Sequence, residues 1–301
     1  MYISNTDELN KTFGLGGKVR FITENKLIKF IATSKTSVLE GYIQGAHVTS
    51  FIPNDCTEVL WLSPLAKFEQ GKAIRGGIPI CWPWFGKHPV NTSLSQHGFA
   101  RNSLFEVVQT AELNNGDLQL TLAMQQSEES LRLWPYKFKL NLIITLGSSL
   151  SIELETKNTD TQIITLTEAI HSYFAIRDIA TTQLQGLANT PYYDQLLETD
   201  SRQSNLTAEF TEEVDRIYRA PANDLFILRE GLANTRLQQV HGNAVVVWNP
   251  WIEKSKSMGD FPDNGYTQML CVEAANTRYA SINLAPGECH SIKQIITPVY
   301  K

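Results

Sequence analysis

The chain has 301 residues, 42% of them hydrophobic and 19% charged, with a formal net charge of −5 and a pI of about 5.7. This composition is typical of a globular protein, and a chain of this length buries enough surface to fold without disulfides. The acidic balance and the lack of a Lys/Arg block argue against a nucleic-acid partner. No apolar stretch approaches the about 20 residues that span a bilayer, so we expect no membrane partner.

The four cysteines, Cys56, Cys81, Cys271 and Cys289, include no C-x-x-C pair. Their spacing therefore predicts no zinc motif. Residues 1–8 lack the basic and apolar regions of a signal peptide, so we expect a cytoplasmic protein. Because no linker, repeat or low-complexity tract divides the sequence, we expect residues 1–301 to form a single domain, and we expect a monomer.

Alternation of apolar and polar residues dominates the chain and predicts many short strands. In chain order, the predicted elements are a helix at Ser4–Phe13, strands at Lys18–Phe21, Ala32–Leu39, Glu40–His47, Glu58–Leu62, Phe105–Thr110 and Leu118–Leu122, a helical turn at Glu128–Leu133, and strands at Leu140–Leu146, Ser151–Thr156, Gln162–Ile170, Asp224–Arg229, Arg236–Val240, Ala244–Trp248, Met269–Ala274 and Glu288–Thr297. The turn at residues 147–149 predicts a hairpin. So many strands with so few helices predict an all-β sandwich.

Two glycine-rich stretches, Arg75–Gly86 and Gln96–Asn102, each combine an arginine with aromatic rings. Glycine permits close approach to a ligand, and proline stiffens the first stretch. A ring-lined loop with guanidinium groups suits a small anionic ligand that has an apolar face. The alternative is a pair of core-packing loops with solvated arginines. The rings that could stack on a ligand are Trp82, Trp84, Phe85 and Phe99.

Two further positions could carry acid–base chemistry. His171 lies at the end of a predicted strand beside small and aromatic residues, and it could transfer protons near neutral pH. The alternative is a packed, hydrogen-bonded histidine. Glu273 lies inside a strongly apolar strand, where an ionised carboxylate needs a partner. It is therefore either paired structurally or poised for proton transfer.

The segment Glu212–Tyr218 is rich in charge. Strand alternation places Glu213, Asp215 and Ile217 on one face and the intervening residues on the other. The alternative interpretation is a solvated edge strand.

Taken together, these motifs resemble those of one family. They are Arg75-Gly-Gly-Ile-Pro, His97-Gly-Phe-Ala-Arg101, His171-Ser-Tyr-Phe, Glu213-Val-Asp215-Arg-Ile-Tyr, Val247-Trp-Asn-Pro-Trp251 and Cys271-Val-Glu273-Ala-Ala-Asn276. In this order, from about residue 18 to residue 297, they are similar to the signatures of the glucose-6-phosphate 1-epimerases. That family belongs to the aldose 1-epimerase, or galactose mutarotase-like, superfamily.

The resemblance implies a large antiparallel β-supersandwich with a sugar cleft on one sheet face. It also implies that His171 and Glu273 are the catalytic pair and that no metal or other cofactor is needed. The substrate-binding residues that it implies are Arg75, Gln96, His97, Arg101 and Asp215. Trp82 stands where many relatives carry phenylalanine or another apolar residue, which could alter the shape of the pocket.

Under this interpretation Glu273, as a carboxylate, takes the proton of the anomeric hydroxyl O1, and His171, as an imidazolium, gives one to the ring oxygen O5. Unperturbed groups of these types titrate near about 4.3 and about 6.5. We therefore expect the nearby carboxylate to raise the pKa of His171. The arginines Arg75 and Arg101 would bind the 6-phosphate.

Three alternatives stay open at this point. A carbohydrate-binding protein on the same fold would need neither an acid nor a base. A glycoside hydrolase would use two carboxylates, such as those of Asp215 and Glu273. A mutarotase for unphosphorylated aldoses would not need both arginines.

Overall fold

The structure is a computed structural model that describes residues 5–219, 221 and 224–299. Within these ranges the helices are α1 (Thr6–Phe13), α2 (Glu128–Leu133) and α3 (Trp251–Ser257), with 3₁₀ turns at Leu15–Gly17, Ala100–Asn102, Ile179–Thr181 and Gly265–Gln268. In the part of the chain so described, no helix is long and apolar enough to cross a membrane.

Strands make up most of the regular structure. They are β1 (Val19–Glu24), β2 (Leu27–Thr33), β3 (Ser37–Tyr42), β4 (His47–Pro53), β5 (Ile80–Cys81), β6 (Glu106–Glu112), β7 (Leu118–Gln125), β8 (Phe138–Leu146), β9 (Leu150–Asn158), β10 (Ile164–Leu166), β11 (Glu168–Ile170), β12 (Tyr173–Ala175), β13 (Gln183–Gln185), β14 (Pro191–Asp194), β15 (Thr199–Arg202), β16 (Thr207–Glu209), β17 (Val214–Arg219), β18 (Asp224–Leu228), β19 (Asn234–Val240), β20 (Ala244–Asn249), β21 (Met269–Asn276), β22 (Ile282–Leu284) and β23 (Cys289–Val299).

Two large antiparallel sheets organise the molecule. The eight-stranded sheet runs β15-β14-β17-β20-β21-β11-β5, with β12 also paired to β21. The nine-stranded sheet runs β16-β13-β18-β19-β23-β9-β8-β7-β6. A four-stranded sheet contains β1, β2, β3 and β4 in chain order, and a two-stranded sheet pairs β10 with β22. The predicted all-β supersandwich is confirmed.

The main core lies between the two large sheets. Val247 and Val272 of the eight-stranded sheet share one buried cluster with Leu237 and Ile292 of the nine-stranded sheet. Because side chains alternate along a strand, the other face of the eight-stranded sheet is free to line a cleft. Strand β21 therefore has Val272 on the core face and Glu273 on the cleft face.

One buried amide joins the sheets beneath this cleft. Gln294 on β23 accepts a hydrogen bond from the Ser172 hydroxyl, and its amide donates to the Val272 carbonyl at 2.9 Å. Ser172 follows His171 in the chain, and Val272 precedes Glu273. The nine-stranded sheet thus holds the backbone next to both residues.

Some predicted elements near the N-terminus are wrong. The predicted strand at Ala32–Leu39 is interrupted by a turn in which the Ser34 hydroxyl accepts from the backbone of Ser37. The predicted strand at Glu40–His47 is interrupted by a second turn, where Ala46 has a positive φ. Residues 58–62 form only isolated bridges, at Leu60 and Leu62. Ser4 of the predicted helix lies outside the described residues.

Other predicted elements hold with shifted ends. The hairpin β8–β9 and the helical turn α2 are confirmed. The predicted strand at Gln162–Ile170 divides at Thr167, whose hydroxyl accepts from the Phe85 backbone at 2.8 Å. Strands β12 to β16 and helix α3 were not predicted. The former are only three or four residues long, too short for a clear periodicity.

Candidate active site

A cleft of about 910 Å³ opens on the eight-stranded sheet. All seven residues singled out from the sequence line it: Arg75, Gln96, His97, Arg101, His171, Asp215 and Glu273. Strands supply Asp215 and Glu273, the β11–β12 junction supplies His171, and loops supply the others. Residues far apart in the chain therefore share one wall of the cleft.

His171 and Glu273 face each other on the cleft floor. His171 Nδ1 lies 3.2 Å from Glu273 Oε1, and both side chains are buried, Glu273 with 1% of its surface exposed. The two atoms make no aligned hydrogen bond, and His171 Nδ1 and Glu273 Oε2 are buried without a hydrogen-bond partner. Buried polar atoms are rarely left so, which indicates that a ligand completes this pair.

Burial sets the protonation of the pair. It raises the pKa of Glu273 well above its ordinary value and lowers the pKa of His171 well below its own. The positive charge of Arg101 further lowers the pKa of His171. The expectation of a raised histidine pKa is therefore wrong, because the loss of water outweighs the attraction of a nearby carboxylate. Burial therefore favours the uncharged form of each group, a neutral imidazole and a protonated carboxyl group, and in these forms the pair holds one proton.

Aromatic rings fix the plane of His171. The Tyr173 ring stacks on the imidazole at 4.8 Å with an interplanar angle of 6°, and the Trp248 ring meets it edge-on at 6.2 Å. The Tyr173 hydroxyl accepts from Arg75 Nη1 at 3.2 Å. One tyrosine thus connects the arginine to the histidine.

The two arginines differ in how far their charge is compensated. Arg75 Nε donates to Asp260 Oδ1 at 3.2 Å. Arg101 Nη2 donates to the Gln96 carbonyl at 2.8 Å, and its buried Nε has no hydrogen-bond partner. Among the described residues Arg101 has no carboxylate within ion-pairing distance. Arg101 is therefore the more available cation for an anionic ligand.

Glycines hold the loops that carry these arginines. Gly98 has φ +70°, and a Cβ atom there would lie 1.9 Å from the Trp82 carbonyl oxygen. Gly77 has φ +64°, and its Cβ would lie 2.2 Å from the Val48 carbonyl oxygen. Only glycine satisfies both the conformation and the close approach.

His97 is half-buried beside the pair, with its ring centroid 5.9 Å from that of His171. Burial, with a smaller contribution from Arg101, lowers the pKa of His97 to about 3, so its imidazole is neutral. Its Nδ1 accepts from the Gly86 backbone at 3.3 Å, which leaves the ring proton on Nε2. His97 can therefore donate one hydrogen bond in a fixed direction.

Asp215 lies on β17, which pairs with β14 on one side and β20 on the other. The alternative of an edge strand is therefore wrong, and the predicted alternation is right, since Asp215 and Ile217 line the cleft while Val214 packs in the core. Burial raises the pKa of Asp215 to about 6, although its carboxylate accepts a hydrogen bond from Gln195.

The four aromatic candidates divide into two pairs. Trp84 and Phe85 line the cleft. Trp82 is fully buried, its indole donates to the Thr156 hydroxyl at 3.0 Å, and it packs edge-on against Phe99. Trp82 therefore belongs to the core, and the expectation that it shapes the pocket is wrong.

Several cleft residues were not singled out from the sequence. They are Tyr173, Gln195, Trp248, Lys254 and Arg278, with Asp260 behind Arg75. Tyr173 and Trp248 lie inside the motifs quoted above, and their aromatic character was the available signal. Asp260 lies 185 positions from Arg75, and nothing in its local sequence indicates the contact.

The pair on the cleft floor also lies close to a buried thiol, that of Cys271. One ligand atom each from His171, Cys271 and Glu273 lies within 4.8 Å of the other two, and all three residues are buried. Nitrogen, sulfur and carboxylate donors form a set suited to zinc.

Comparison with known proteins agrees with this geometry. The sequence model of the aldose 1-epimerase family matches residues 31–297. A protein of Salmonella typhimurium, provisionally named glucose-6-phosphate 1-epimerase, is 38% identical over 236 residues, 77% of each chain. A protein of Cenchrus ciliaris with the same provisional name is 37% identical over 260 residues, 83% of this chain and 78% of its own.

A solved structure with the same fold points to the same family. The crystal structure of YeaD, a Salmonella typhimurium protein provisionally described as a mutarotase, superposes with a TM-score of 0.88 and is 32% identical, covering 94% of each chain. With a family match over most of its length, this chain belongs to the aldose 1-epimerase family.

Proposed function

We propose that the protein is a glucose-6-phosphate 1-epimerase that interconverts the α and β anomers of hexose 6-phosphates. The observation that carries this proposal is the buried His171–Glu273 pair, 3.2 Å apart and open to a cleft that also contains arginines. The provisional names of the relatives support the same substrate.

Ring opening of a pyranose needs two proton transfers at neighbouring atoms, since O1 and O5 are bonded to the same carbon. In our proposal Glu273 takes the proton of O1 while His171 gives one to O5. The pair works in this direction when its single proton sits on the imidazole. After opening, the proton is back on Glu273, the form that burial favours. Rotation of the aldehyde and reclosure in reverse give the other anomer.

The remaining cleft residues hold the substrate in this proposal. Arg101, whose charge is uncompensated, binds the 6-phosphate, with Arg75 beside it. Asp215 and Gln96 bind sugar hydroxyls, and the Nε2–H group of His97 donates a hydrogen bond to another sugar hydroxyl.

Exchange NMR between the α and β anomers tests the proposal. Glucose 6-phosphate, galactose 6-phosphate, mannose 6-phosphate and free glucose are compared side by side against the spontaneous rate. We expect the largest acceleration with a hexose 6-phosphate. Equal acceleration of free glucose would favour an aldose mutarotase, and no acceleration with measurable binding would favour a carbohydrate-binding protein. Release of sugar from aryl glycosides would instead favour a hydrolase that uses Asp215 and Glu273.

We also propose a cytoplasmic monomer that folds as one domain over residues 1–301. All four cysteines are free thiols, as is usual in a reducing compartment.

A further inference from the structure

We propose that the His171–Glu273 pair and the buried Cys271 thiol together form a binding site for Zn²⁺ and similar borderline cations, and that the bound cation blocks the sugar. The blocking part rests on the proposed function, because it assumes that the same pair acts on the sugar. The binding part does not, since it depends only on the donor atoms.

The donor geometry is close to that of a zinc site. Zinc bonds of about 2.0–2.1 Å to nitrogen and oxygen, at tetrahedral angles, separate the two ligand atoms by about 3.3 Å. His171 Nδ1 and Glu273 Oε1 are 3.2 Å apart. One ligand atom each from His171, Cys271 and Glu273 lies within 4.8 Å of the other two. With a zinc–sulfur bond of about 2.3 Å, the sulfur belongs about 3.6 Å from a nitrogen or oxygen ligand, so it has to move by at most about 1.2 Å.

Strand geometry explains why the thiol is there. Cys271 and Glu273 are two positions apart on β21 and so point to the same face of the sheet. Tyr173, two positions after His171, pairs with Cys271 in the register of β12 and β21. Cys271 and Glu273 are therefore held by one strand, and His171 lies at the β11–β12 junction beside it.

Two buried polar atoms of the proposed site lack a hydrogen-bond partner. His171 Nδ1 and Glu273 Oε2 are buried without hydrogen-bond partners, so a cation would satisfy atoms that the protein leaves unpaired. Binding displaces the protons of the Cys271 thiol and the Glu273 carboxyl group, and the thiolate and carboxylate so formed balance the charge of a divalent ion. Three protein donors leave a fourth position open. Arg75 and Arg101 repel a free cation, so we expect weaker binding than at a closed structural zinc site.

Titration of the purified protein with Co²⁺ tests the binding. We expect the near-ultraviolet thiolate-to-cobalt charge-transfer band, displaced by Zn²⁺ and not by Mg²⁺, which prefers oxygen ligands. Cys271→Ala and Cys271→Ser should lose the band and bind the metal at least about tenfold more weakly. Cys289→Ser, which removes an exposed thiol, is the matched control and should keep the band. No band in the parent protein, or a band lost only in the control, would overturn the proposal.

Inhibition of anomer exchange tests the blocking. At buffered free Zn²⁺ we expect competitive inhibition with respect to glucose 6-phosphate, and Cys271→Ala should remain active but need at least about tenfold more Zn²⁺. Equal sensitivity of the two proteins would contradict the role of Cys271. Because the cobalt band needs no turnover, a protein that binds Co²⁺ but does not exchange anomers refutes only the proposed function. Exchange without metal binding refutes only the metal site.

Discussion

At the scale of single residues, the catalytic proposal depends on how burial acts on an acid and a base in contact. Burial moves the pKa of Glu273 upward and the pKa of His171 downward, so it favours the uncharged form of both groups. A pair in those forms holds one proton in total, on the carboxyl group. That single proton can pass between the two residues, which is what a reversible ring opening requires.

The pH dependence of kcat/KM should therefore be a broad bell. On the acid side, activity falls when His171 becomes protonated and the pair holds two protons. The lowered pKa of His171 moves this limb to lower pH. On the alkaline side, activity falls when Glu273 loses the only proton of the pair, and the raised pKa of Glu273 moves this limb to higher pH. The acid limb, assigned to His171, should lie below about 6.5, and the alkaline limb, assigned to Glu273, should lie above about 4.3, the ordinary values of the two groups. Free glucose, which has no titrating phosphate, is the control substrate, and a His171 ring that titrates by NMR at or above about 6.5 would contradict the assignment.

Replacing Glu273 with glutamine should remove most of the activity. The substitution keeps the shape of the side chain but cannot accept the O1 proton, so we expect a loss of at least about a hundredfold in kcat with the fold retained. The measurement is exchange NMR with circular dichroism as a check of folding. Glu106→Gln, an exposed position on β6, is the control and should exchange anomers normally. Near-normal exchange in the Glu273 variant would remove this residue from the mechanism.

Arg101→Ala should discriminate between phosphorylated and free sugars. Since Arg101 has an uncompensated charge, we expect KM to rise for glucose 6-phosphate by about tenfold or more and to change little for free glucose. Arg132→Ala, on the exposed face of α2, serves as the control. A similar rise for both sugars would mean that Arg101 binds ring hydroxyls instead.

At the scale of elements, the sequence predicted what depends on local pattern. Alternation placed Asp215 on the cleft face of β17, and the hairpin β8–β9 followed from a serine- and glycine-containing turn. Helix α3 was missed, although Pro250 stands at its start and the Asn249 side chain accepts from the Trp251 backbone at 2.9 Å. Those residues are typical of a helix start, but a helix of seven residues is too short for a clear periodicity.

The loop before Arg101 permits a test of why glycine is needed. Gly98→Ala should destabilise the protein by more than about 1 kcal/mol, because it combines a left-handed φ with a contact against the Trp82 carbonyl. Gly116→Ala is the matched control, since its φ is +87° but no atom lies within 4 Å of the new Cβ. Chemical denaturation measures both. Equal losses would assign the effect to backbone conformation alone.

At the scale of the whole molecule, contacts between distant segments could not be predicted from the sequence. The pairing of Arg75 with Asp260 and the packing of Trp82 beneath the cleft both depend on how the sheets and loops meet. Local pattern gives the class of fold and the candidate residues. It does not give which rings face the ligand, since Trp82 and Trp84 are alike in sequence context and opposite in placement.

The Gln294 side-chain amide also makes contacts between distant segments, and its partners Ser172 and Val272 are the chain neighbours of His171 and Glu273. Gln294→Met should lower stability by about 1–3 kcal/mol, because it leaves the buried Ser172 hydroxyl and Val272 carbonyl unpaired. We also expect kcat to fall more than KM rises, since the backbone beside His171 and Glu273 loses its anchor. Gln119→Met on β7, which removes a hydrogen bond far from the cleft, is the control. Unchanged kcat would limit Gln294 to a structural role.

The seven site residues predicted from the sequence lie partly on strands and partly in loops or turns, and this difference affects how freely each of them can be substituted during evolution. Glu273 and Asp215 are fixed by strands whose reverse faces form the core, so any change there disturbs packing as well. Gln96, His97 and Arg101 lie between β5 and β6, in a loop and the 3₁₀ turn that follows it. New ligand preferences should therefore arise from substitutions in this segment, while Glu273 and Asp215 stay unchanged.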